Sequence, residues 1–384
     1  MSTSGVVRTR VVAGALVALL ATALLALAAA GPASAGPPPT GPTATGYSLY
    51  FGDLHAHTGY SDGASGTTPW DAFPVGRDSG ADFMALTEHY STTNAYEPWT
   101  MEEWEWLDLK AAASYFTSKS FVAIPAYEFY LVANTGEFNV FNVGDLPPKM
   151  EITGPERLGI FYDWLAQQPG AVAQFNHPTY VTHEFKDFSG YTAARDAGMG
   201  LLEVFNDVFT EESYTKALDT GWHVMPSANS DTHDANWIWG SDVRTVLLAK
   251  RLTAADLYAA MRAQRGYATM DKNLSINFSV NGGVMGSTLS GASTYTADVK
   301  IWDPDALAGS ARDAVTLVEI VSNGGAVVRT LPLSPAAGIK TVTWKVTGLP
   351  PKARYFWVRV STASEDFSGV PGVTAWTAPV WTGQ

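Results

Sequence analysis

Cysteine is absent from the 384-residue chain, which excludes disulfide staples and thiolate chemistry and leaves stability to a packed core or to bound metal. Positive charge is also scarce: 24 Lys and Arg stand against 37 Asp and Glu, a formal net charge of −13. Binding the phosphate backbone of a nucleic-acid polymer rests on clustered cations, so no such partner is expected. A small phosphorylated compound is still open, because a bound metal can meet its charge locally. The chain has no phosphate-cradling glycine loop, so P-loop chemistry lacks its sequence signature.

Charge is missing altogether from residues 11–30, which follow Arg8 and Arg10 and precede the small-x-small pattern Ala33-Ser34-Ala35. This predicts a signal peptide over 1–35, cleaved near Ala35, a secreted product and no stable membrane insertion afterwards. An uncleaved anchor is the alternative, since the run is nearly long enough to span a bilayer. Without the leader, 22 basic against 37 acidic residues leave a charge of −15.

What is present reads as an ordinary globular chain, 46% hydrophobic and 16% charged, long enough for two domains. Residues 36–46 form a Pro/Gly/Thr linker. Apolar runs at 47–57, 83–89, 121–129, 171–177, 201–206, 223–230 and 245–249 alternate with helix-like segments at 101–119, 155–168 and 254–264. That rhythm predicts an α/β domain over 47–270, a barrel in preference to an open doubly wound sheet. After it come alternating runs separated by turn signals such as Asn281-Gly282-Gly283 and Pro350-Pro351, which predict an all-β sandwich over 271–384.

Only seven histidines occur, and His55, His57, His89, His177 and His233 all fall at or just past the C-terminal ends of predicted strands. Alternate strand residues face one side, so His55 and His57 project together and can chelate one ion as neutral imidazoles. Glu128 ends the third run, Asp231 and His233 follow the sixth, and Asp62 lies one tight loop past the first pair. So many inward carboxylates and imidazoles are costly to bury without a cation, and mixed His and carboxylate donors suit Zn, Mn or Fe.

The ordered set His55-x-His57 with Ser61-Asp62-Gly63, Thr87-Glu88-His89, Glu128, Asn176-His177-Pro178 and Ser230-Asp231-Thr232-His233 resembles the PHP (polymerase and histidinol phosphatase) family. It is similar above all to the exported branch related to carbaryl-hydrolase-type metallohydrolases. The resemblance covers residues 47–270 and implies a distorted seven-stranded (β/α) PHP-type barrel, followed here by the β-sandwich. It also implies two or three divalent ions at the barrel mouth. His55, His57, Glu128 and Asp231 would hold the first; Glu128 would bridge to a second that His177 also binds; Asp62, His89 and His233 would hold a third. Where the family has Gly-His-x-Asn, this chain departs with Gly136-Glu137-Phe138-Asn139. Glu137 is the expected second-site ligand, its oxygen favouring a harder ion such as Mn, and the alternative is a weak second site without a binuclear mechanism. Glu88 is expected to orient an imidazole.

Two ions roughly 3.5 to 4 Å apart can lower the pKa of a bridging water, so no side-chain nucleophile is required. Glu128, Asp231 and His233 are therefore the expected catalytic residues. Arg244 is a candidate for phosphate binding, with a surface ion pair as its alternative. His183 is a candidate leaving-group acid, with a solvated loop as its alternative. His223 reads as structural. Trp99, Trp104, Trp106, Tyr130, Trp237 and Trp239 read as core, with those in loops able to wall a pocket. The expected activity is an exported phosphoesterase using a metal-bridging hydroxide on a small phosphomonoester or phosphodiester. The alternatives are a carbamate, carboxylic ester or amide hydrolase with the same centre, and a non-catalytic metal-stabilised binding protein. Oligomeric state is left open.

Overall fold

The computed structural model describes residues 46–91, 99–130, 136–147, 156–178, 184–206, 208–334, 341–365 and 371–384. The expected leader, all of the linker but Gly46, and His183 lie outside the described residues. No described helix is long and apolar enough to cross a membrane.

Each of the seven apolar runs contains a strand: β1 (Ser48–Asp53), β2 (Phe83–Tyr90), β3 (Val122–Tyr130), β5 (Val172–Asn176), β6 (Met199–Asn206), β8 (Met225–Ala228) and β9 (Arg244–Ala249). Three further strands were not anticipated: β4 (Glu137–Phe141), β7 (Val208–Phe209) and β10 (Gly266–Thr269). The helices between them are α1 (Pro69–Asp78), α2 (Glu103–Phe116), α3 (Arg157–Leu165), α4 (Ala193–Asp196), α5 (Glu211–Thr220) and α6 (Ala254–Arg262). Local chemistry fixes their ends. Pro69 opens α1 where its missing N–H costs nothing, α6 starts on the Thr253 side chain accepting from Asp256 N–H, and α5 stops at Gly221 with φ 118°.

Parallel ladders join β1 to β2, β2 to β3, β5 to β6 and β6 to β8. β4 runs antiparallel between β3 and β5, and β9 antiparallel to β1, so the expected sequence of like-directed strands is interrupted twice. Both exceptions present their first residues at the edge where the other strands end. That edge therefore collects the C-terminal ends of β1, β2, β3, β5, β6 and β8 together with Glu137 and Arg244. Among the described residues no ladder joins β8 to β9; the chain beyond β1 instead meets the chain beyond β8 at an Ala56–Thr232 bridge.

Residues 275–381 form β11 (Ser275–Val280), β12 (Gly283–Val284), β13 (Tyr295–Trp302), the short α7 (Pro304–Ala308), β14 (Val315–Ser322), β15 (Ala326–Pro332), β16 (Thr341–Leu349), β17 (Tyr355–Glu365), β18 (Pro371–Thr377) and β19 (Val380–Trp381). β12, β11, β13 and β16 make a four-stranded antiparallel sheet, whereas β15, β14, β17 and β18 extend the large sheet through β18 pairing with β10. One apolar cluster accordingly contains Phe51, Phe83 and Leu247 together with Ile276, Val299 and Val358, so a single core crosses from the α/β part into the β-rich part.

Glu211 sits on that crossing. It accepts from Trp376 Nε1 at 2.6 Å and pairs with Arg359, which also reaches Glu319 at 2.8 Å. Removing a half-buried carboxylate that satisfies both a guanidinium and an indole N–H costs about 1–3 kcal/mol. Glu211→Ala should lower the urea midpoint accordingly, and an unchanged midpoint would show that this network adds nothing to the junction.

Candidate metal centre

Strand alternation and one tight loop build the first part of the centre. Leu54 and Ala56 turn into apolar clusters, which leaves His55 and His57 facing the opposite side. Asp231 N–H donates to His55 O at 2.9 Å and His57 N–H to Thr232 O at 3.1 Å, so the His-x-His segment is registered against the Asp-x-His segment by backbone. Past His57 the chain doubles back: Gly63 N–H donates to Thr58 O at 2.9 Å, and a Cβ on Gly63 would lie 2.7 Å from Thr58 N. Only glycine fits there, and the turn returns Asp62 to the histidines. His177 and Asp231 have φ of 30° and 46°, a costly conformation for residues with side chains and one that clusters at functional sites.

The nine expected ligands fall into three groups, within each of which the ligand atoms lie within 4.8 Å of one another: His55, His57, Glu128 and Asp231; Glu128, Glu137 and His177; and His57, Asp62, His89 and His233. In the first, His55 Nε2 is 3.0 Å from Glu128 Oε2 and 3.1 Å from Asp231 Oδ1, and His57 Nε2 is 3.3 and 2.9 Å from the same atoms. Glu128 turns its other oxygen to the second group, with Oε1 3.4 Å from His177 Nε2, which is 3.1 Å from Glu137 Oε2. In the third, Asp62 lies 3.5 Å from His89 Nε2 and 3.3 Å from His233 Nε2. The side chains of His55, His57 and Glu128 are at most 1% exposed, against 37% for Asp62 and 39% for His233. The centre is therefore closed beneath the first group and open at the third.

The residues that hold these ligands are largely ones the motifs did not indicate. Glu203, fully buried on β6, lies 2.9 Å from His55 Nδ1 and accepts from His177 N–H at 2.8 Å and from Asn229 Nδ2 at 2.7 Å. Asn206 Nδ2 donates to Asp231 Oδ2 at 3.0 Å, and Asn176 Nδ2 to Glu128 Oε1 at 2.7 Å. Asp53 accepts from the N–H groups of His55 and Ser230. A glutamate inside the apolar run Leu-Leu-Glu-Val-Phe was the one available signal for Glu203, because an ionisable group there has to be partnered.

Three expectations change. Glu88 does not orient an imidazole directly; it accepts from Thr58 N–H and from the hydroxyls of Thr58 and Ser61, so it fixes the loop that carries Asp62. Arg244 is buried and donates to the carbonyls of Ser241, Val243 and Ile238, a structural tie and not a guanidinium presented to a substrate. Trp237 is core and donates to His57 O at 2.9 Å, while Trp239 and Trp104 are exposed and the Trp99 ring stands edge-on 5.5 Å from His89. His223 meets Asp196 at 2.8 Å, consistent with a structural role.

Electrostatics tests whether divalent ions suit this set. Burial on its own lowers the His57 pKa, but hydrogen bonds and charge from Asp231 and Glu128 outweigh it and push it up to about 10. His55 and His177 move up for the same reasons, and Glu128 is held well below the usual carboxylate range by the imidazoles despite its burial. The side chains thus converge as alternating positive and negative groups, which a divalent ion with neutral imidazoles and carboxylates would replace. His89 Nδ1 is buried without a hydrogen-bond partner, 3.4 Å from Glu128 Oε2, as a ring nitrogen meant for a ligand would be. Nitrogen and carboxylate oxygen together fit Zn, Mn or Fe.

A consequence follows for protein stripped of metal by EDTA. Since the folded His57 pKa of about 10 exceeds its unfolded value of 6.5, this group's contribution to stability is complete below pH 6.5 and is lost as pH rises toward 10. The thermal midpoint in EDTA should fall across that window; a midpoint that rises instead would contradict the paired arrangement.

No family model matches the chain, and no curated protein matches it. Solved structures do. A two-domain protein from Bacteroides vulgatus ATCC 8482 containing a predicted PHP-like metal-dependent phosphoesterase is 17% identical at a TM-score of 0.48, over 91% of this chain and 100% of that one. Histidinol phosphate phosphatase from Lactococcus lactis subsp. lactis, solved with zinc, L-histidinol and phosphate, is 12% identical at 0.31, over 50% and 89%. An amidohydrolase from Chromobacterium violaceum with bound sulfate is 15% identical at 0.30, over 48% and 87%. At such identities and scores these likenesses carry no argument about activity, which is left to the ligand geometry.

Proposed function

We propose that this protein is a metal-dependent hydrolase, and within that class a phosphoesterase acting on a small phosphomonoester or phosphodiester outside the cytoplasm. One observation carries the reading: Glu128 directs Oε2 to His55 and His57 and Oε1 to His177, so one buried carboxylate belongs to two ligand groups. Divalent ions held there would supply Lewis acidity toward the ester and a water acidic enough to react near neutral pH.

The chain's own residues account for the rest. Glu203 and Asn206 hold His55, His177 and Asp231 in place, which fixes the donor positions before substrate arrives. Burial of the first group excludes bulk water, and the half-exposed pair Asp62 and His233 marks the side from which a substrate enters. His233 Nδ1 lies 2.8 Å from Asp231 O, so its ring is oriented with Nε2 toward Asp62. A third ligand group supports phosphate over a less charged ester, because three sites offer more charge compensation than a carboxylic ester requires.

Another observation favours the carbamate, carboxylic ester or amide reading. Arg244 is turned to backbone carbonyls, and among the described residues no Lys or Arg pairs with Asp62, Glu128, Glu137 or Asp231. The two readings separate in one assay of Mn- and Zn-loaded protein against p-nitrophenyl phosphate, bis-p-nitrophenyl phosphate, p-nitrophenyl acetate and 1-naphthyl N-methylcarbamate. Turnover of the phosphates is expected. Turnover of the carbamate or acetate alone would select the second reading, and none with metal bound would leave a metal-stabilised binding protein.

A further inference from the structure

The rim of the open ligand group carries two aromatic rings. Tyr60 lies two residues before Asp62, in the loop that Glu88 holds through Thr58 and Ser61. Trp104 stands at the start of α2, three residues past Met101, whose N–H donates to the carbonyl of His89 at 2.7 Å. Both rings are thus anchored on segments that carry ligands of the third group. Their centroids are 5.6 Å apart and their planes inclined by 62°, so they form two sides of a corner.

Neighbouring carboxylates fix these rings. Tyr60 Oη donates to Asp108 Oδ2 at 2.6 Å, the oxygen that also accepts from Trp70 Nε1 at 2.9 Å, and Trp104 Nε1 donates to Glu102 Oε2 at 2.9 Å. The polar edge of each ring is therefore committed, and what Trp104, 57% exposed, offers to solvent is its π surface. That surface carries the negative face of the ring quadrupole, and a carboxylate at the indole N–H adds to it. Glu102, Glu103, Glu105 and Asp108 surround the corner with negative charge, whereas Lys110, the one basic residue of α2, is turned to Gly144 O at 2.8 Å and lies over the Trp106 ring. Among the described residues no Lys or Arg pairs with Glu102, Glu105 or Asp108. A negative π corner without a cation of its own favours a cation from solution and disfavours an anion.

We propose that Tyr60 and Trp104 bind a quaternary ammonium group in the leaving alcohol of the substrate, whose phosphate goes to the ligand groups. This rests on the hydrolase reading and narrows its substrate to phosphate esters of the choline type. A methylated ammonium suits the corner better than a primary one, because it has no N–H to give a carboxylate and its attraction is to the ring faces. Hydrolysis breaks the P–O bond to the alcohol; water supplies oxygen to phosphorus and a proton to the departing alkoxide, and the amino alcohol and inorganic phosphate leave.

Phosphocholine and 3,3-dimethylbutyl phosphate share one shape and differ in the charge on the leaving alcohol. The Mn- or Zn-loaded parent should show kcat/KM about 10-fold higher for phosphocholine, chiefly through KM, and Trp104→Ala should level the two esters. Tyr115→Ala, an exposed ring at the far end of α2, should keep the parent's preference. In titration calorimetry of the same metal-loaded protein, choline should bind the parent more tightly than 3,3-dimethylbutanol by a similar factor, and Trp104→Ala should remove the difference. Equal turnover of both esters by the parent, or a preference that survives Trp104→Ala, would overturn the inference and leave the phosphoesterase reading standing. No turnover of either ester or of p-nitrophenyl phosphate would overturn both.

Discussion

Glu128→Gln should lower kcat/KM by about 10³-fold or more while leaving the fold intact. Glutamine keeps the volume, and its amide oxygen can still accept from Asn176 Nδ2, now 2.7 Å from Oε1. What is lost is the negative charge shared between the group of His55, His57 and Asp231 and the group of Glu137 and His177. Metal in such a centre supplies several kcal/mol of transition-state stabilisation, and each 1.36 kcal/mol is a factor of ten, which sets the size of the loss. Metal content should fall with activity, and the melting midpoint in EDTA should change little by comparison. Full metal content with full activity would remove Glu128 from the centre; full metal content with lost activity would make it a proton-handling group instead.

The next largest effect is expected at Glu203, a residue that touches no ion position itself. Its carboxylate lies 2.9 Å from His55 Nδ1 and accepts from His177 N–H at 2.8 Å, so it sets one imidazole's tautomer and places another's backbone. Partners of this kind are worth about 10- to 100-fold in metal affinity or activity. Glu203→Gln should weaken metal binding by that factor in a competition with a chromophoric chelator, with activity regained at saturating metal. A merely structural role would lower the melting midpoint and leave metal affinity unmoved, so the two accounts are separable.

How much of this was legible beforehand follows from what kind of information each feature needs. Seven apolar runs marked seven strands because alternation and length are local properties. The five histidines at strand ends could be gathered in one place because such ends share an edge in β/α folds, and Asp62 could be joined to them because Asp-Gly signals a tight return. Strand direction is not local. β9 has the composition of its neighbours yet runs antiparallel to β1, and β4 was quoted as a motif without being read as a strand, since Glu-Phe-Asn-Val-Phe is too short to stand out. Arg244 makes neither the phosphate contact nor the surface ion pair expected of it, because its partners are backbone carbonyls that no side-chain pattern encodes.

The sequence by itself determined the donor set, its order and its chemistry: imidazoles and carboxylates at strand ends, no thiol, and too few cations for a nucleic-acid polymer. Only the tertiary structure decided which donors share a group, that Glu137 joins Glu128 and His177, and that Glu203 stands behind His55 from 148 residues away. It also joined the β-rich part to the sheet that carries the ligand groups, through β10 and β18. The reason is physical. Residue type and spacing fix what a side chain can donate, while its partners depend on how strands pair, and pairing is a property of the whole chain's packing.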